Sequence, residues 1–167
     1  MIKTIFWTVV FTLVAAVLQS TLLSHLALYR AVPDLALAVV VYTAYVNGTM
    51  TGQLSGFFSG IFLDFISAAP LGMNAFIRTL VGALAGIMKG TFFLDFFFLP
   101  MALCAAATLA KALTLFVLHL LLAGAVPVYS LTAPTLWVEL ILNSVCAIPL
   151  FALLKLFNPL LLGRSKT

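Results

Sequence analysis

Four polar side chains stand inside otherwise apolar runs: Lys111, His119, Glu139 and Asn143. Lys111 and His119 are about two helical turns apart on one face, and Glu139 and Asn143 one turn apart on the next apolar run. Such groups can satisfy one another between helices, line a site for a ligand or partner, or carry a proton. A lysine near mid-bilayer costs several kcal/mol if it stays alone, so it must face other helices. The spacing predicts His119 and Glu139 at comparable depth, with Lys111 and Asn143 deeper. A second pair, Asp64 and Arg78, flanks the turn Pro70-Leu71-Gly72. Placed at similar depth, the two predict an ion pair that pins a helical hairpin or serves a partner or ligand.

Other chemistries find no support. No GxSxG, HExxH or P-loop occurs in the chain. The two histidines have no cluster of ligands around them, so no metal and no cofactor is expected. The four acidic residues fall on separate segments, which gives no sequence basis for paired acid–base catalysis. Cys104 and Cys146 lie in apolar runs and read as small packing residues.

The elements that must position these groups follow from composition. Of 167 residues, 65% are hydrophobic and 7% charged, against about 25% charged in an ordinary soluble domain. Eight Lys/Arg and four Asp/Glu cannot cover a water-facing surface of this size. Lipid is therefore the main solvent. At about 20 residues per spanning helix the chain has room for about six spans and short loops, and for no soluble catalytic or nucleic-acid-reading domain. The expected fold is all-α, a single polytopic bundle of transmembrane helices. The spans are expected at about 4–23, 33–47, 50–68, 73–88, 99–125 and 134–157. The first is read as an uncleaved helix and not a signal peptide, because its apolar run continues to Leu23 and further spans follow.

Proline and glycine punctuate the runs. Pro33 and Asp34 make a helix start, with φ preset and a carboxylate to cap the first amides. The run behind them is short for a span, so it must begin near Pro33 or thin the bilayer. Gly52, Gly56 and Gly60 recur every four residues, a row that Asp64 continues; Gly82, Gly86 and Gly90 do the same, in a row that Arg78 begins. Small residues at this spacing let helix backbones approach closely. The two rows pack inside the bundle or form a subunit interface, including one with a second copy of the chain. The segment with Phe92, Phe93, Phe96, Phe97 and Phe98 around Asp95 rests on lipid or meets a partner at the membrane surface.

Orientation follows the basic residues. With both ends on one side, that side holds Lys3, Lys89, Lys155, Arg164 and Lys166, and the other holds Arg30 and Arg78. Both termini are therefore expected in the cytoplasm. The net charge of +4 is scattered and points to topology, not to nucleic acid.

Three stretches together resemble a known family. They are Val32-Pro33-Asp34-Leu35, the run Gly56 to Asp64, and Pro70-Leu71-Gly72-Met73-Asn74-Ala75. Their order and spacing, over about Val32 to Gly86, resemble the MreD family of bacterial rod shape-determining proteins. Pro33, Asp34, Asp64, Pro70 and Gly72 are the residues that match. The resemblance implies a multi-pass protein of the bacterial inner membrane, working in the elongation machinery for peptidoglycan. It implies MreC as the direct partner, with RodA and its transpeptidase, and MreB indirectly. It also implies a fold similar to the S components of energy-coupling-factor vitamin transporters, and no catalytic residue.

Two functions compete most directly. The first is a non-enzymatic scaffold whose glycine faces and polar seam hold MreC's single helix. The second is a small-molecule-binding subunit of the S-component kind, with Lys111, His119, Glu139 and Asn143 lining its pocket. An intramembrane enzyme comes third, for want of an activated nucleophile or metal cluster.

Overall fold

A computed structural model gives the architecture and describes residues 1–21, 31–67, 70–90, 97–121 and 134–163. The described residues form helices α1 (Ile2–Thr21), α2 (Leu35–Asn47), α3 (Thr49–Ile66), α4 (Met73–Ile87), α5 (Phe98–Leu121), α6 (Pro134–Leu156) and a short α7 (Asn158–Leu161). Among them α1, α5 and α6 are long and apolar enough to cross a membrane, and α2 and α4 are shorter apolar helices. The molecule is a helical membrane bundle, as the composition requires. His25, Arg30, Asp95, Tyr129, Arg164 and Lys166 lie outside the described residues, as does most of the phenylalanine-rich segment.

α2 is the axis of the bundle. It packs on α1, α3, α4, α5 and α6, and every residue from Ala36 to Ala44 is buried. A helix apolar on all sides belongs inside a protein. At 13 residues it is about 20 Å long, short of the ~30 Å hydrocarbon core. Protein surrounds it, so no thinning of the bilayer is needed to accommodate it. It starts as the sequence predicts: Asp34 caps it by accepting from the Leu37 amide at 2.9 Å.

Its neighbours meet it through small and polar residues. Thr4, Thr8 and Thr12 stand one turn apart on α1 and are all buried. Thr8 and Thr12 return their hydroxyls to the carbonyl one turn back, at 2.8 Å, and Thr8 also donates to Thr43 of α2 at 3.2 Å. The threonines thereby satisfy themselves while keeping α1 close to α2.

The glycine rows account for the most extensive helix pair, α3 with α4. A methyl group at Gly52 would overlap the carbonyl of Gly82, and one at Gly82 would overlap that of Gly52. Gly56 faces the backbone of Arg78, Gly60 that of Ala75, and Gly86 that of Thr49 in the same way. The two helices thus touch backbone to backbone along their length. Of the alternatives for these rows, the structure shows packing within the bundle.

The far end of the chain folds back on the bundle. Asn47, at the end of α2, donates to the Leu161 carbonyl at 2.9 Å and accepts from the Gly163 amide at 2.6 Å. Tyr42 donates to Asn158 at 2.6 Å. These bonds seat α7 beside α1 and α2 and bring Gly163 to the end of the bundle where α1 begins.

Candidate functional site

The site is an ion-pair network inside the bundle, toward the end where α2, α4 and α6 begin, and Asp34 is its hub. Because Asp34 precedes α2, its carboxylate projects from the end of the axial helix toward three neighbours. One oxygen accepts from Arg78 Nη2 of α4 at 3.0 Å and from the Leu37 amide; the other accepts from Lys111 Nζ of α5 at 3.0 Å. Lys111 also donates to Glu139 of α6 at 2.7 Å. Asn143, one turn on from Glu139, accepts from the backbone N–H of Asp34 at 2.6 Å and donates to Thr108 of α5 at 2.8 Å.

Two acids and two bases thus meet on four helices, and their charges cancel. Asp34 is 8% exposed, Arg78 5%, Glu139 6% and Asn143 4%, while the Lys111 side chain is partly exposed at 19%. Buried charges persist only when paired and hydrogen-bonded, and each of these has a partner. The space among Asp34, Cys104, Thr108 and Asn143 is too small for a water molecule. On that side the seam is a closed contact.

Two expectations need correction. Asp64 and Arg78 do not pair. Asp64 accepts from the amides of Gly72, Asn74 and Ala75 at 3.0, 2.9 and 3.1 Å, and from the Asn74 side chain at 3.0 Å. It has become the anion that caps the first turn of α4 and closes the Pro70–Gly72 turn, in which Gly72 adopts φ +90°. Four donors within reach of a short side chain outcompete a guanidinium in the second turn. Arg78 points inward, to Asp34, 44 residues away in sequence.

The depth assignment in the α5–α6 seam also shifts. The bonds from Asn143 to Thr108 and from Lys111 to Glu139 set the antiparallel register, so Glu139 lies opposite Lys111 and not opposite His119. Running that register on, His119 in the last turn of α5 lies beyond the start of α6. Lys111, Glu139 and Asn143 are brought together as expected.

Sequence reasoning missed Thr108 and the reach of Asp34. Thr108 sits three residues before Lys111, on the face of α5 that meets α6, and that spacing was the available signal. Asp34 read only as a helix cap, and it is one. The pairing with Arg78 and Lys111 is tertiary and leaves no local trace. Pro33 is buried beside it, whereas Pro70 and Gly72 are exposed. Among the described residues no group of His, Cys, Asp or Glu is arranged to hold a metal ion.

The family model described as rod shape-determining protein MreD matches residues 1–157 of the chain. That covers every element of the network and all but the last residues of the fold. Neither a curated protein nor a solved structure gives a significant match.

Proposed function

The chain belongs to the MreD family, and we propose that it is a non-enzymatic scaffold of the elongation complex that builds peptidoglycan in rod-shaped bacteria. In this reading it sits in the inner membrane with both termini in the cytoplasm, and it binds the single membrane helix of MreC. RodA and its transpeptidase join through that complex, and MreB connects indirectly. The internal polar groups support a structural role, since Asp34, Arg78, Lys111 and Glu139 are engaged with one another and hold four helices in fixed relation.

One observation carries the partner. The glycine rows are consumed between α3 and α4, but a second small-residue surface remains between α4 and α5. Val81, Leu84 and Ala85 on one side and Ala106, Ala107 and Ala110 on the other enclose an almost wholly apolar groove of about 300 Å³. Ala106 and Ala110 are one turn apart, so an incoming helix can approach the α5 backbone closely there. Leu84 and Ile87 flank it and are 44% and 67% exposed. A single apolar helix suits this groove better than a soluble domain does, since its walls are almost wholly apolar and lie on two membrane helices.

The test is photo-crosslinking in native membranes from a benzophenone amino acid at position 106. A crosslink to MreC is expected, and Ala106→Trp should lose MreC, RodA and the transpeptidase from detergent pull-downs and round the cells. Full recovery of MreC with Ala106→Trp at normal abundance would overturn this reading.

A further inference from the structure

A cavity of about 300 Å³, mostly apolar with a few polar groups, lies at the end of the bundle where α1 finishes and α4 begins. Its walls include Ala16 and Gln19 of α1, Ile66 of α3, Asn74 and Arg78 of α4, and Asp34, whose carboxylate already pairs with Arg78. Two of these side chains carry buried polar atoms whose partners are missing among the described residues: Arg78 Nε and Nη1, and Gln19 Oε1. An orphaned buried donor or acceptor costs about 1–3 kcal/mol, more for a charged group. The ion-pair network takes only Nη2 of the guanidinium. The remaining Nε and Nη1 protons point apart, because Nη1 lies on the Cδ side of the guanidinium, so each calls for its own acceptor, such as one oxygen of a phosphate. Gln19 Oε1, by contrast, calls for a donor such as a hydroxyl.

One turn further along the same α1–α3 interface a second hollow begins. It is apolar, about 480 Å³, and bordered by Phe6, Val9, Val10 and Leu13 of α1 with Phe58 and Phe62 of α3. It extends as far as Ile2, a run of about 16 Å along α1, close to the hydrocarbon depth of one leaflet. Phe6, Phe58 and Phe62 are 62%, 45% and 48% exposed, so the hollow opens toward lipid. A cavity with unsatisfied arginine donors and a glutamine acceptor, continued by an apolar trough, has the layout of an amphiphile's headgroup and tail.

We propose that this α1–α3 surface is a lipid site: Arg78 receives the phosphate of a phospholipid, Gln19 receives a headgroup hydroxyl, and one acyl chain lies in the trough beside Phe58 and Phe62. The proposal stands apart from the partner groove, which is on α4 and α5.

Native mass spectrometry of the delipidated full chain reads the site directly. The probes are dioleoyl phosphatidylglycerol, dioleoylglycerol, which has no phosphate, and glycerol 3-phosphate, which has no chains. Phosphatidylglycerol should be retained, and the other two should bind at least about tenfold more weakly, dioleoylglycerol for want of the charge-assisted contacts and glycerol 3-phosphate for want of the buried acyl chain. Gln19→Leu and Ala16→Leu, which fills the cavity, should each lower retention of phosphatidylglycerol about tenfold at unchanged thermal unfolding. Equal retention of dioleoylglycerol would remove the phosphate recognition. Binding of glycerol 3-phosphate as tight as that of the lipid would reduce the site to a free-phosphate site and overturn the proposal, as would variants that hold lipid like the parent. Should Ala16→Leu not fold, Gln19→Leu, outside the ion-pair network, decides the matter.

Discussion

Asp34 and Lys111 lie 77 positions apart in the chain, and their side chains meet at 3.0 Å inside the bundle. Lys111 alone would be a cation inside the bundle, and Asp34 alone a carboxylate beneath the end of a helix. Joined, and extended by Arg78 and Glu139, they form a neutral chain of charges through α4, α2, α5 and α6. Apolar packing gives a membrane bundle little preference among helix rotations, because lipid is as apolar as leucine. A network with four fixed attachment points selects one arrangement.

Asp34→Asn should therefore be among the most damaging substitutions. It leaves two buried cations with a single carboxylate between them. Breaking a buried pair from one side costs about 3–5 kcal/mol. Thermal unfolding in detergent should show a marked fall in Tm, and a Tm within a degree or two of the parent would mean that the network carries little stability.

Lys111 and Glu139 give a more discriminating test. Lys111→Met takes from Glu139 and Asp34 the cation they share, and Glu139→Leu takes from Lys111 one of its two carboxylates. The double variant removes one charge of each sign and leaves Asp34 with Arg78, still neutral. It should be milder than the Lys111→Met single variant, in keeping with the near-neutral exchange of buried pairs for apolar side chains. Tm values for the parent, the two single variants and the double variant form the cycle. Strictly additive losses would show that the two residues do not act as a pair.

What the sequence made legible divides along physical lines. Local rules served well: the cap at Asp34, the turn at Pro70–Gly72, the helix runs, and a seam holding Lys111, Glu139 and Asn143. Pairing across the bundle was hidden. Asp64 and Arg78 looked like partners because they flank one turn, yet four nearby donors claim Asp64 and the axial helix offers Asp34 to Arg78. Which acid an arginine reaches depends on how α2 is seated, and no spacing along the chain reports that. The burial of α2 on every side was equally invisible, since an apolar helix in protein and one in lipid share the same composition.

Gly56 faces the backbone of Arg78 with no space for a Cβ. Gly56→Ala must separate α3 from α4, and with them the Arg78 side chain from Asp34. Overpacking of this kind costs about 1–3 kcal/mol. The expected outcome is a lower Tm for Gly56→Ala, whereas Phe57→Leu, at a neighbouring position that is 43% exposed, should leave Tm nearly unchanged. Equal Tm values for the two would contradict the close backbone contact.

Asp64→Ala removes the acceptor of three amides and one side-chain donor at once. Loss of a helix cap costs about 0.5–2 kcal/mol, and the buried position of Asp64 puts this case at the upper end. The Pro70–Gly72 turn should open, which hydrogen exchange at Gly72, Asn74 and Ala75 can follow. In cells the expected result is lower abundance, weaker recovery of the complex and rounding. Protected amides in Asp64→Ala would mean that the turn holds without its anion.

Asn47 offers the last test, at the other end of the bundle. Its side chain both donates to Leu161 and accepts from Gly163, so it fastens the C-terminal turn by two bonds that no other side chain makes to those groups among the described residues. Asn47→Ala loses both and leaves Tyr42 to Asn158 as the remaining polar tie. Each lost bond is worth about 1 kcal/mol. The rest of the bundle, which meets α7 mainly through α1, should keep its Tm to within a few degrees. Limited proteolysis after Phe157 should then be faster in Asn47→Ala than in the parent. Equal cleavage rates would show that apolar contact of Leu161, only 1% exposed, is enough to hold α7 in place.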